Sequence, residues 1–444
     1  MDTLPLPPRP DIEQYRKRAK SLVDAANSAD SDAVTQWATD WLKALTRLLD
    51  VEITPFVQGS FDRAVERLTE EVTTRKNKAR DAGGKFALSD AQHLIAQAHS
   101  YENWASLAAE IESLRTVSRS SAFERAADAI VTGDLATLDE LLLKNPGLIR
   151  EHSSRTHHAT LLHYVAANGV EDFRQKTPPN AVDVAERLLA AGADVNAVAD
   201  TYGGDLYQTT MNLLVSSMHP AEAGLQSALV DVLLDHGAAI DGLENTGSPI
   251  LTALAFGYRD AADTLARRGA AISHVVIAAA VGRLDLVQQW VLDANTLAKE
   301  HSPYVGPYWV HIPDDTKGQI ELALVWACKF GRDNVALYLL DLGVSARAQD
   351  NDRMTALHWA SARGMFDVMN PLVAKGAELE AKNTWGGTVV DSVAWFAVNS
   401  PMPGVDYPKV IDRLLAAGAD VNHIYPPLTG IAAVDEVIRR YRDS

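Results

Sequence analysis

The residues with the greatest chemical potential in this chain are its histidines. The segment HSSRTHHATLLH gathers His152, His157, His158 and His163. A helical zinc site pairs two histidines at i and i+4 beside an acidic ligand, and this spacing supplies no such pair, so no metal is expected. His163 and His358 each stand between a leucine and an aromatic residue. In that apolar setting the ring nitrogens are expected to hydrogen-bond neighbouring backbone and hold turns. The single cysteine, Cys328, lies in the apolar run LALVWAC, where a thiol is buried and inert and has no disulfide partner. No GxSxG elbow, phosphate loop, GxGxxG fingerprint, HExxH or kinase signature occurs, and the Gly203–Gly204 pair reads as a polar turn. Catalytic residues are therefore not assigned, and no cofactor is expected.

Recognition chemistry is better represented. HSPYVGPYWVHIPDDTKG, residues 301–318, is rich in proline and aromatic residues and presents Tyr304, Tyr308, Trp309 and His311. A loop of that length is usually functional or disordered, and its aromatic content argues against disorder. A second long loop at 197–208 carries Tyr202 and Tyr207. Together with His157 and His158 these side chains are candidates to wall a small-molecule or enzyme pocket. DFRQKTPPN near residue 176 is a turn extension that reads equally as a contact surface or as tolerated loop growth.

The elements that must position such residues emerge from repetition. A helical phrase ending in glycine returns as LLAAGADVN at Gly192 and Gly418, LLDHGAAID at Gly237, LARRGAAIS at Gly269, LLDLGVSA at Gly343 and LVAKGAELE at Gly376. Two further copies place Asn145 and Asn295 there, and the expected cause is a left-handed residue just past a helix end, which Gly and Asn tolerate. The upstream half recurs as TLLHYVAANG from Thr160 and TALHWASARG from Thr355, with weaker forms between. The spacing of the eight ends brackets a period of about 33 residues, with insertions.

These two motifs resemble those of the ankyrin repeat family, whose first-helix signature T-P-L-H-x-A is best matched by Thr160–Val165 and Thr355–Ala360. The resemblance implies an all-α, ankyrin-type α-solenoid of about eight divergent repeats over residues 121–444, closed by a C-terminal capping helix. Departures are the missing proline and the replacement of histidine by Asn212 and Asp391. The resemblance also implies a groove lined by the ends of first helices and by the finger residues before them. Carried over copy by copy, it selects Asn168, Gln208, Phe330, Arg363, Trp385, Trp395 and Phe396 as partner-binding residues. Tyr164, Trp326 and Trp359 occupy a position that packs between helices, so these are expected in the core.

Residues 1–116 do not repeat. Helical spacing predicts three helices, then two shorter ones, the first opened by a capping box of Ser89 and Gln92. The opening LPPRPDIEQYRKRAKSLV and the later NWASLAAEI are similar to helical segments that precede ankyrin arrays in bacterial proteins. Lys and Arg number 41 against 58 Asp and Glu, a net charge of −17 that argues against nucleic acid and favours a partner with basic surface. The start lacks a secretory h-region and no stretch suits a membrane span, so a cytoplasmic location away from the membrane is expected. Three functions follow. The leading one is a non-enzymatic scaffold for protein–protein interaction; the others are a binder or enzyme with a loop-walled pocket, and a structural homo-oligomer.

Overall fold

The computed structural model describes residues 4, 6, 10–48, 55–115, 122–202, 207–244, 248–298, 312–425 and 428–443. By contact the chain divides into two units, Met1–Gly247 and Ser248–Ser444. The first contains α1 (Ile12–Asn27), α2 (Ala33–Leu48), α3 (Pro55–Asp81), α4 (Leu88–Ala98) and α5 (Trp104–Arg115), followed by three helical pairs. Leu22, Trp41, Leu68, Ile95 and Ile111 meet in the core of the five helices, each contributing the apolar stripe that its helical spacing predicts. α4 starts one residue before Ser89. Its first turn is closed by Asp90, which accepts from the Ala87 N–H at 2.9 Å, so the expected Ser89–Gln92 box is replaced by an acidic residue one position on.

The pairs in this unit are repeat 1 (Ala122–Thr132 and Leu135–Lys144), repeat 2 (a 3-10 helix Leu161–Ala166, then Ala181–Ala190) and repeat 3 (Thr210–Leu214 and Gln226–Asp235). The second unit holds repeat 4 (Pro249–Ala255 and Arg259–Arg267), repeat 5 (Val275–Ala280 and Leu284–Trp290) and repeat 6 (Thr316–Lys329 and Asp333–Asp341). It continues with repeat 7 (Ala356–Ala362 and Phe366–Ala374), repeat 8 (Val389–Asn399 and Tyr407–Ala416) and a closing helix, Ala432–Arg442. The shorter first helices are buried almost all round: every residue of Val275–Ala280 is enclosed. Second helices bury one face only, as Arg259–Arg267 does with Ala261, Ala262 and Leu265. Neither kind can bury its apolar surface alone, so successive pairs stack within each unit. Extended structure among the described residues is confined to two short hairpins, β1–β2 (Val198–Ala199 with Gln208–Thr209) and β3–β4 (Val291–Asp293 with Thr296–Leu297), and two isolated bridges.

The recurring glycines end the second helices in the left-handed region, with φ from +86° at Gly237 to +104° at Gly418. The two asparagines do otherwise. Asn145 has φ −138° and leads straight into a 3-10 turn begun by Pro146. In repeat 5 the helix stops at Trp290, and Asn295 sits in the β3–β4 turn, where its N–H donates to Asp293 Oδ1 at 2.8 Å. At both positions the chain enters a turn without passing through the left-handed region.

The first-helix motif is a capping device. In repeat 7 Thr355 Oγ1 accepts from the His358 N–H at 3.3 Å, while the Thr355 N–H donates to His358 Nδ1 at 3.1 Å. Asn212 and Asp391 keep half of it, each donating its N–H to the preceding Thr209 or Thr388 hydroxyl. His163 repeats the geometry with Thr160 and donates from Nε2 to the Gln208 carbonyl at 3.3 Å. Burial lowers both histidines to about 4, so the rings are neutral and structural.

A buried ionic network joins the N-terminal helices to repeats 1 and 2. Arg155, only 2% exposed, donates to Glu124 Oε2 at 2.9 Å, pairs with Glu171, and donates to the His99 carbonyl at the end of α4 at 3.1 Å. Arg174 also reaches Glu124 (2.7 Å) and Glu171 (3.2 Å), and pairs with Asp128 at 2.8 Å. The two guanidiniums lie over the rings of Tyr101, Tyr164 and Phe173. Burial opposes the Glu171 charge, but Arg155 and Arg174 outweigh it and hold the carboxyl well below its usual range. The extension carrying Phe173 and Arg174 is therefore folded back into the protein and serves as part of its core.

A candidate aromatic docking site

The side chains that converge on one cavity come from the fingers and first helices of repeats 7 and 8. Asp352 and Met354 precede the first helix of repeat 7, and Trp359 lies within it. Asn383, Trp385 and Gly387 form the next finger, and Asp391, Ser392, Trp395 and Phe396 lie on the first helix of repeat 8. Together they line a cavity of about 550 Å³. Phe396 is the pivot: its ring meets Trp359 at 5.8 Å and Trp395 edge-on at 5.4 Å. Trp385 and Trp395 are 75% and 55% exposed, while Trp359 and Phe396 are half-buried.

Local chemistry holds the finger and anchors the Trp359 ring. Asn383 Oδ1 accepts from the N–H groups of Trp385 (3.0 Å) and Gly387 (2.9 Å), and Asn383 Nδ2 donates to Ser392 Oγ at 3.1 Å. Gly386 supplies the left-handed residue that this turn needs, at φ +85°. A Cβ on Gly387 would lie 3.1 Å from Asp391 Oδ2 and 3.2 Å from Ser392 Oγ, so the finger sits close on the helix behind it. Trp359 is anchored by its indole N–H, which donates to Asp350 Oδ2 at 2.9 Å. The Lys329 ammonium lies 5.3 Å from the Trp359 ring centroid. Burial lowers the pKa of Lys329, against the opposing pull of Asp350 and Asp352.

Of the residues selected from the sequence, Trp385, Trp395 and Phe396 meet here. Phe330 does not: it is fully buried, packed edge-on against Trp326, because the chain at this helix end turns it inward. Arg363 caps the first helix of repeat 7 and donates from Nε to the Lys329 carbonyl. Burial and the neighbouring Arg259 and Arg332 lower it to about 10, and it is not among the cavity residues. In the first unit Gln208 is buried, and its carbonyl is the acceptor for His163. Asn168 is half-buried and donates to Ser216 Oγ at 2.9 Å, while its Oδ1 accepts from the Tyr202 hydroxyl at 3.2 Å. Tyr202 and Tyr207 are exposed, and His157, expected on a pocket wall, is enclosed. Tyr304, Tyr308, Trp309 and His311 lie outside the described residues. Sequence reasoning placed Trp359 in the core and missed Asn383; the signal for the latter is the run Asn-Thr-Trp-Gly-Gly, in which the asparagine side chain is able to bond its own turn.

Residues 275–383, which include Trp359 and Asn383, match a family model described as ankyrin repeats in three copies. That segment is built of ankyrin repeats. Short stretches of the chain resemble curated proteins: potassium channel KOR2 of Oryza sativa subsp. japonica, 38% identical over 61 residues, which is 14% of this chain and 8% of that protein, and serine/threonine-protein kinase 12 of Arabidopsis thaliana, 42% identical over 50 residues, 11% of each. The chain thus spans about a tenth of the length of these relatives. Among solved structures, the human ASB11 ankyrin repeat domain is 22% identical, covering 68% of this chain and 99% of that one with a TM-score of 0.32. Ankyrin repeats are generally protein–protein interaction modules. Among the described residues no helix is long and apolar enough to cross a membrane.

Proposed function

We propose that this chain binds a protein partner and that the aromatic cavity of repeats 7 and 8 is where the partner docks. The observation that carries this reading is the convergence of Trp359, Trp385, Trp395 and Phe396 on one open cavity, with two of the tryptophans more than half exposed. Exposed tryptophans next to a concave surface are the residues that dominate interface energetics. The net charge of −17 favours a partner with basic surface, because complementary charge speeds encounter and rejects acidic competitors.

The test uses the full chain as bait, followed by calorimetry with each captured protein after purification. Trp385→Ala together with Trp395→Ala removes binding, each truncation weakening it by about 2 kcal/mol or more. The melting curve stays nearly unchanged, because neither ring fills the core. Undiminished affinity in a folded double variant would defeat the reading.

A further inference from the structure

The cavity offers more than apolar surface, and its polar groups specify the side chain that fits. Asp352 and Asp391 line it beside the four aromatic rings. Asp391 Oδ1 is committed to the Tyr425 N–H at 2.8 Å. Asp352 is exposed, and its finger is held through the backbone, its N–H donating to Asp350 Oδ1 and its carbonyl accepting from Thr384. A purely apolar occupant would draw the Asp352 carboxylate out of water with only the pull of the nearby Lys329 ammonium to offset the loss. A cation gains from both the ring faces and the carboxylate. The chain already uses this chemistry, with the Arg155 and Arg174 guanidiniums set between carboxylates and aromatic rings and the Lys329 ammonium against Trp326, Phe330 and Trp359.

The shape narrows the choice further. An ammonium is compact and strongly hydrated, whereas a guanidinium is flat, weakly hydrated, stacks on indole faces and presents paired donors to a carboxylate. A cavity of about 550 Å³ has room for a long side chain and the backbone on either side of it. We propose that the pocket receives an arginine side chain from an extended basic segment of a protein partner, with the guanidinium against Trp385 and Trp395 and its donors on Asp352. This deepens the docking reading above and rests on it.

The test is a titration of the full chain, labelled with 5-fluorotryptophan, with three small probes: N-acetyl-arginine methylamide, the citrulline counterpart, and N-acetyl-lysine methylamide. Citrulline keeps the length and shape of arginine but carries no charge. Trp385→Phe and Trp395→Phe assign the two fluorine signals. The arginine probe shifts both signals at concentrations at least tenfold below those required of citrulline, and below those required of lysine. Asp352→Asn, an exposed substitution checked by its melting curve, weakens the arginine probe about fivefold or more and leaves citrulline unchanged. An equal response to citrulline, a tighter response to lysine, indifference to Asp352→Asn, or no response to any probe overturns the inference. Each of those outcomes leaves the docking reading to its own test by tryptophan truncation. A full arginine response combined with undiminished partner binding by the tryptophan double variant overturns the docking reading, and with it the assignment of the arginine to a protein partner.

Discussion

Replacing Arg155 by methionine would measure what the buried ionic network does for the first unit. Methionine keeps length and apolar bulk while removing the charge and every donor. In the native protein the guanidinium faces Glu124 at 2.9 Å, pairs with Glu171, and satisfies the His99 carbonyl at 3.1 Å. Breaking a buried pair from one side costs about 3–5 kcal/mol, because a charge is left without its partner. Here Arg174 still reaches both carboxylates, which moderates that term, but the His99 carbonyl loses a donor, worth about 1–3 kcal/mol. The expected loss is therefore about 3–5 kcal/mol, or roughly 6–20 °C in the midpoint of a unit of this size. Hydrogen exchange resolved by segment is the appropriate assay, since stacked repeats need not unfold together. Protection should fall in Leu88–Ala98 and Ala122–Thr132 and stay constant in repeats 6 to 8. Glu124 and Glu171 are held below their usual range, so the stability they contribute is complete above the unfolded value near ~4.3 and lost as pH falls through the folded ones. The gap between wild type and variant should narrow below about pH 4 accordingly. Adding Glu171→Gln to Arg155→Met should restore part of the loss, because a neutral amide no longer needs the missing cation. A loss under about 1 kcal/mol, or strict additivity of the two changes, would refute the network as a stabilising unit.

Two further outcomes follow from the same coordinates. Glu110 on α5 is raised to about 7, first by burial and then by Glu124, against the pull of Arg155 and Arg174, and its Oε1 has no hydrogen-bond partner. A raised carboxyl contributes stability that is present below the unfolded value near ~4.3 and lost as pH rises through the folded one, so the stability gained by Glu110→Gln should grow between pH 4 and pH 8 in paired urea titrations. A gain that is constant with pH would count against it. Gly169→Ala should cost several times more than Gly192→Ala: both have positive φ, but the new Cβ at 169 would lie 2.7 Å from Thr201 Cβ, whereas at 192 it meets nothing within 4 Å. The latter bears only the left-handed strain of about 1–2 kcal/mol, and equal melting temperatures for the two variants would contradict the argument.

The repeat architecture was legible because its signals are local. A left-handed residue after the second helices of repeats 2, 3, 4, 6, 7 and 8 demands glycine, and a threonine three residues before His, Asn or Asp closes each of several first helices, so both marks appear in the sequence where the fold needs them. The ionic network was not legible. Arg155 and Arg174 stand 31 and 50 residues from Glu124 in loops rich in polar residues, which sequence alone reads as solvent-exposed. The candidate docking site was legible in part. Trp385, Trp395 and Phe396 were found by repeat register, yet register does not give the rotation of a side chain at a helix end. Phe330 accordingly points into the core, while Trp359, whose position in the repeat suggested burial, opens one part of its ring to the cavity.

The Asn383 turn bears on how fast and how selectively the cavity can work. A tryptophan on a loose loop would have to be immobilised at the moment of contact, and that ordering would subtract from affinity. Here the backbone on both sides of Trp385 is clamped by one amide oxygen, and Asn383 is itself tied to Ser392 on the helix behind it. The backbone ordering is already in place in the free protein. For the docking role proposed above, a finger built this way would act as a rigid wall of a mould, discriminating by shape at first touch and leaving a poorly fitting side chain little means of reshaping its receptor.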